Sequence, residues 1–234
     1  MAVITMSRQV GSGAEEIAEQ LRSELGLTAF DKRLMLRVAS ELGVSESEII
    51  DYSEDQYKLR GFFDALFRRS RPIAETTSWT GGSRTGYERQ VSILDEDRAI
   101  DLVRSTINAA YDRGNVLIIG RGGQAILENR SGVFHVRIVA PFEYRLQRIQ
   151  VEEHMTAAQA RRYIQERDRA TAEYLRHFHN IDVDDPTLYH MVLNTGLLTT
   201  RQCAKLIKMA IEQMEQGQAG AAAGEGEETE QAAS

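Results

Sequence analysis

The chain opens Met1-Ala2-Val3-Ile4-Thr5-Met6-Ser7-Arg8-Gln9-Val10-Gly11-Ser12-Gly13-Ala14-Glu15-Glu16-Ile17-Ala18, and this run sets the architecture expected of everything after it. A short apolar, β-branched stretch stops at a Gly/Ser loop, and the loop opens a helix. Glycines let backbone N–H groups turn inward and approach an anion closely. The following helix adds unpaired N–H groups and the positive end of its dipole. The common phosphate loop ends G-K-[ST], whereas here Gly13 is followed by Ala14-Glu15-Glu16 with no lysine. Ser12 and Glu15 also fit the S-x-x-E capping box, and two glutamates suit a helix N-terminus electrostatically. Anion cradle and capped turn are therefore both open readings of this loop.

A length of 234 residues suits one α/β domain, or one domain carrying a small insertion. Hydrophobic content of 42% and charged content of 27% are ordinary for a globular chain. The net charge is -7, and Glu225, Glu227, Glu228 and Glu230 of the terminal stretch supply four of those charges. No basic footprint for nucleic acid is left. The one cysteine, Cys203, excludes an internal disulfide; it lies in an apolar helical pattern and reads as a buried thiol. The five histidines show no metal spacing. No run has the length of a membrane-spanning helix, and the N-terminus lacks a signal layout. The expectation is a cytoplasmic, reducing location with no membrane contact.

Periodicity places a helix after Gly13 with Ile17, Ala18, Leu21 and Leu25 inside, stopped by Gly26. An extended piece, 27–30, follows. Asp31 then caps a helix carrying Leu34, Met35, Val38, Ala39 and Leu42. Residues 95–112 form an amphipathic helix with Ile100, Val103, Ile107 and Ala110 inside. Val116-Leu117-Ile118-Ile119 is wholly apolar, the pattern of a strand buried on both faces of a parallel sheet. Gly120-Arg121-Gly122-Gly123 leaves it and opens a short helix, 124–128. Residues 133–139 form a strand, and Pro141 starts the next helix. A charged helix covers about 156–178, a strand 191–193, and a last helix 200–214. From 216 the Gly/Ala/Glu/Gln-rich tail reads as disordered. Strands alternate with helices about five times, which predicts a parallel α/β sheet covered on both faces. Ligands bind beyond the C-terminal strand ends of such sheets. Two of those ends carry a glycine loop with an arginine, Arg8 and Arg121.

Residues from about 51 to 94 stand apart. They hold Arg60, Arg68, Arg69, Arg71, Arg84 and Arg89 with Phe62, Phe63, Phe67 and Trp79, and 76–86 is rich in Thr, Ser and Gly. The segment reads as a solvated helical hairpin with a loop, as an acceptor-side flap, or as a partner contact.

The segments Ile4–Gly13, Phe30-Asp31-Lys32, Ile118–Gly122, Arg145-Leu146-Gln147-Arg148-Ile149, Arg167-Asp168-Arg169 and Val192-Leu193-Asn194-Thr195 resemble, in that order, the cytidylate kinase-like family, a branch of the P-loop nucleoside monophosphate kinases. The resemblance covers about 1–50 and 95–210 and implies a three-layer P-loop kinase fold. Its parts would be a five-stranded parallel sheet, a helical lid over 141–185 and the insertion at 51–94, with the domain spanning 1–215 and the tail 216–234. It implies an ATP-dependent phosphotransferase acting on a nucleoside monophosphate, CMP or dCMP, with Mg²⁺. By that resemblance Gly11, Ser12, Gly13 and Ala14 hold the donor phosphates, and Ser12 faces the metal. Arg8, Arg145, Arg148 and Arg169 serve the transfer. Asp31, Lys32, Arg37, Arg121, Arg167 and Asp168 face the acceptor, Asp168 pairing with the base or holding the arginines. Guanidinium forks suit this chemistry because phosphoryl transfer needs positioning and charge neutralisation rather than covalent help. Two alternatives stand beside it. One is a catalytically weak nucleotide- or phosphate-binding regulator, suggested by Glu15 and Glu16. The other is an interaction module using 60–90, through which a homodimer would also form.

Overall fold

The computed structural model describes residues 2–30, 74–80, 88–94 and 96–231. The expected helix beginning at Asp31 lies outside these residues. The chain divides into two compact units, 1–29 with 111–234, and 30–110.

In the larger unit the expected alternation is present. Strand β1 (Val3–Arg8) leads through the glycine loop into α1 (Ala14–Leu25), and β2 (Thr28–Ala29) follows. Later come β5 (Val116–Ile119), α3 (Gly123–Ile126), β6 (Val133–Val139), α4 (Phe142–Glu152), α5 (Ala157–His179), β7 (Met191–Asn194) and α6 (Thr200–Gln231). The five strands form one parallel sheet in the order β2-β5-β1-β6-β7. β1 is central, with Val3 beside both Val116 and Val133. The glycine loop therefore leaves the middle of the sheet at the edge where a doubly wound fold collects ligands.

The alternation of β1 divides the core. Ile4 and Met6 point to one face, where α1 (Ile17, Ala18, Leu21) and α6 (Cys203, Ala204, Ile207, Ile211) cover them. Each such Ile or Leu contributes ~1.5–3 kcal/mol on burial. Cys203 is fully buried, and burial pushes its thiol up. The other face is polar at its centre. Thr5 and His135 share a 2.6 Å hydrogen bond, and Arg137 donates to Ser7 at 2.8 Å and to Asp184 at 2.5 Å. All of Thr5, Ser7, His135 and Arg137 are buried, so each polar group needs the partner it has. Burial, reinforced by neighbouring His190, pushes His135 down to about 4. Helices α4 and α5 pack through Leu146, Ile149, Ala160 and Ile164.

In the smaller unit, β3 (Ala74–Thr80) and β4 (Glu88–Leu94) form an antiparallel ribbon with Thr77 opposite Val91. The described part of the insertion is thus extended where the sequence pattern suggested a helical hairpin; Thr, Trp, Val and Ile favour extended backbone. Helix α2 (Glu96–Arg113) follows, with Ile100, Ile107 and Ala110 buried as expected.

The tail corrects the composition argument. α6 runs to Gln231 rather than stopping near Met214, since Ala, Glu and Gln are strong helix formers and outweigh the interspersed glycines. Among the described residues no helix is long and apolar enough to cross a membrane.

Candidate active site

The glycine loop is fixed by contacts from three directions. Gln9 N–H continues the sheet to Ile138 O at 3.0 Å, and its side-chain oxygen accepts from Ala140 N–H at 3.1 Å. Val10 is held at both backbone groups: its N–H donates to Asp168 Oδ1 at 3.2 Å, and its carbonyl accepts from Arg145 Nη1 at 3.2 Å. The Thr195 hydroxyl donates to Ser12 O at 2.7 Å. Gly11 lies so close to α4 that an added Cβ would meet Arg145 O at 2.9 Å, and its φ of +75° already excludes most side chains.

These contacts leave a row of donors. Among the described residues the N–H groups of Gly11, Gly13, Ala14, Glu15 and Glu16 have no acceptor, and the fully buried Ser12 hydroxyl has no hydrogen-bond partner. A buried hydroxyl without a partner is costly, and a group that an incoming ligand satisfies escapes that cost. The capping-box reading of Ser12 and Glu15 fails. Gly13 is the cap residue and provides no side chain, while the Glu15 carboxylate turns back to Arg8 Nε at 2.6 Å.

Two arginines from other elements of the fold stand beside the lysine-less loop. Arg8 stands at the end of β1 with Nη1 3.3 Å from where a Cβ on Gly120 would be, so it bridges the two glycine loops. The Arg148 guanidinium carbon lies 3.3 Å from the corresponding position on Gly13. It pairs with Glu16 and with Glu152, both at 2.7 Å. That hydrogen bond holds the Glu16 carboxyl below its ordinary range. Both loop glutamates are thus turned onto arginines rather than lying across the free N–H groups.

Arg145 is engaged within the protein itself. It is buried and bonded to Ala140 O at 3.2 Å, Val10 O at 3.2 Å and Asp168 at 2.6 Å, so its Nε and Nη1 support the loop. Asp168, expected to pair with a base or to hold arginines, takes the second task. Arg167 stacks over the Tyr163 ring at 4.4 Å. Burial, together with the charges of Glu153 and Glu15, holds the Tyr163 hydroxyl up against the opposing effect of Arg167 and Arg8. Arg169 is exposed on α5, 3.8 Å from Glu173. Arg121 occupies a left-handed turn with φ +58° between Gly120 and Gly122. Asp31, Lys32 and Arg37 lie outside the described residues.

Gln9 and Thr195 lie in segments that carry the resemblance but were assigned no role there, and His179 was not a candidate. Thr195 follows the end of β7 as Arg8 and Arg121 follow or end their strands, and that placement was the available signal. Among the described residues no group of His, Cys, Asp and Glu is arranged to hold a metal ion by itself.

A family model described as the cytidylate kinase-like family matches residues 3–197. A cytidylate kinase from Methanothermobacter thermautotrophicus is 33% identical over 115 residues, 47% of this chain and 71% of that protein. A cytidylate kinase from Methanopyrus kandleri is 24% identical over 211 residues, 90% of this chain and 93% of that protein. Among solved structures, an uncharacterized protein from Eubacterium ventriosum is similar with a TM-score of 0.60 at 15% identity, covering 91% of this chain and 99% of that one. That last likeness concerns the fold alone.

Proposed function

We propose that this chain, which belongs to the cytidylate kinase-like family, transfers a phosphoryl group from ATP to a nucleoside monophosphate, with CMP or dCMP as the acceptor. The observation that carries the reading is the loop: free N–H groups from Gly11 and from Gly13 to Glu16 converge with an unpartnered, buried Ser12 hydroxyl between Arg8 and Arg148. Aligned N–H donors at a helix N-terminus suit an oligophosphate. Two guanidinium groups from separate elements replace the single lysine of the common motif. Arg148 stays in place beside Gly13 through Glu16 and Glu152. Arg8 reaches toward Gly120 and so toward the turn that presents Arg121. An acceptor phosphate at Arg121 and a donor phosphate at the loop would meet across Arg8.

The Ser12 hydroxyl is a neutral oxygen without a partner, which fits a phosphate-bound Mg²⁺; the ion, when bound, neutralises charge on the transferred group. The chain's own residues orient the donor through the loop N–H groups and offset its charge through Arg8, Arg148 and Arg167. In-line positioning of the two phosphates supplies much of the rate.

The test is a nucleotide panel read by calorimetry and by coupled turnover. ATP·Mg²⁺ with CMP or dCMP should give turnover, and Arg8→Ala should weaken ATP·Mg²⁺ binding tenfold or more, ~1.4 kcal/mol. Unchanged affinity in Arg8→Ala would remove Arg8 from the site. Absence of turnover with every monophosphate would leave the regulatory reading in its place.

A further inference from the structure

We propose that α5 is a strut that sets the spacing between the glycine loop and the Arg121 turn, with Asp168 and His179 as its two positioning residues. Each contact is local and specific. Midway along α5, Asp168 receives Val10 N–H at 3.2 Å while Arg145, bonded to the same carboxylate at 2.6 Å, takes Val10 O. At the helix end, His179 presses on Gly122: a Cβ there would lie 2.7 Å from His179 Nε2 and 3.4 Å from Leu175 Cδ2. Gly122 is thus the position where the turn yields to α5.

Helical geometry makes these contacts a single device. Asp168 and His179 are eleven residues apart on α5, which at 3.6 residues per turn is just over three whole turns, about 20° off one face and ~16 Å along the axis. Leu175, seven residues from Asp168, lies on the same face. One side of a rigid helix therefore touches the loop at one level and the turn at another. The cost of moving either is high. Val10 has both backbone groups engaged, and Arg121 is a non-glycine residue at φ +58°, a conformation that persists only where its surroundings impose it. A shift of α5 moves both sites together. The α4–α5 connection, where Thr156 caps α5 with a reciprocal bond to Gln159, gives the helix a fixed start.

The functional consequence rests on the kinase reading above: binding at one site should favour binding at the other, because the first ligand fixes the strut for both. The structural claim does not need that reading, and the experiment separates the two. Hydrogen exchange of the ligand-free full chain is measured for wild type, Asp168→Asn, His179→Ala, His179→Gln and Glu166→Gln, the last on the opposite side of α5. Asp168→Asn and His179→Ala should each speed exchange tenfold or more at the hydrogen-bonded amides of both segments, Gln9, Val10 and Ser12 in the loop and Gly120 and Gly123 in the turn. His179→Gln should restore most protection, and Glu166→Gln should leave both segments as in wild type. Faster exchange confined to the segment nearest each substitution overturns the strut. In the second arm, the Kd for ATP·Mg²⁺ is measured with and without saturating CMP. Wild type should bind ATP several-fold tighter with CMP present, and His179→Ala should lose that ratio while still binding each nucleotide. If wild type binds neither nucleotide, the kinase reading falls and the exchange result alone decides the strut.

Discussion

Replacing Gly11 by alanine tests how tightly the loop is seated, and Gly26→Ala provides the matched control. Both glycines have positive φ, +75° and +64°. An alanine in that region costs ~1–2 kcal/mol, partly offset by the reduced freedom of the unfolded chain. At Gly26 nothing lies within 4 Å of an added Cβ, so the expected loss is ~1 kcal/mol. At Gly11 the same Cβ would meet Arg145 O and Ile149 Cγ1, each at 2.9 Å. One of these is backbone of α4 and cannot swing aside, so overpacking adds ~1–3 kcal/mol. The expected total at Gly11 is ~3 kcal/mol. Urea unfolding followed by far-ultraviolet circular dichroism reads the difference. With m near 2 kcal/mol/M, the midpoint of Gly11→Ala should fall about 1 M below that of Gly26→Ala at unchanged m. Equal midpoints for the two variants would refute the close seating of the loop on α4, and with it the argument that Gly11 is required there.

His135 gives a pH dependence with a defined sign. Its folded value of about 4 lies below the ordinary 6.5, so its contribution is complete above pH 6.5 and is lost as pH falls toward 4, ~3 kcal/mol over the whole interval. Urea midpoints between pH 7.5 and 4.5 should fall more steeply for wild type than for His135→Gln; parallel slopes would exclude His135 as the source. Glu15→Gln should tighten ATP·Mg²⁺ binding about fivefold, since one carboxylate near the phosphates costs ~1 kcal/mol at about 4 Å in water. Stability should stay within ~0.5 kcal/mol because the Arg8–Glu15 pair is exposed. Weaker binding by calorimetry would mean that Glu15 is needed to place Arg8.

Much of the scaffold was readable in one dimension. Val116–Ile119 and 133–139 are strands over the expected residues, because an uninterrupted apolar run between glycine turns has few other stable fates. The order of glycine loops after strands placed both loops at one edge of the sheet for the same local reason. Strand order, the duties of the arginines and the state of Ser12 were not readable. Arg145 and Arg148 sit three residues apart on one helix and look equivalent in sequence. Packing makes one a buried clamp on Val10 and sets the other against Gly13, because α4 turns only one of them inward beneath the loop. Ser12 and Glu15 formed a plausible cap by spacing. The left-handed Gly13 and the nearness of Arg8 separated them. Local chemistry along the chain determined which segments would be strands, turns and helices. Which side chain meets which loop depends on contacts between residues as much as 183 positions apart, as in Ser12 with Thr195, and those exist only once the sheet has assembled.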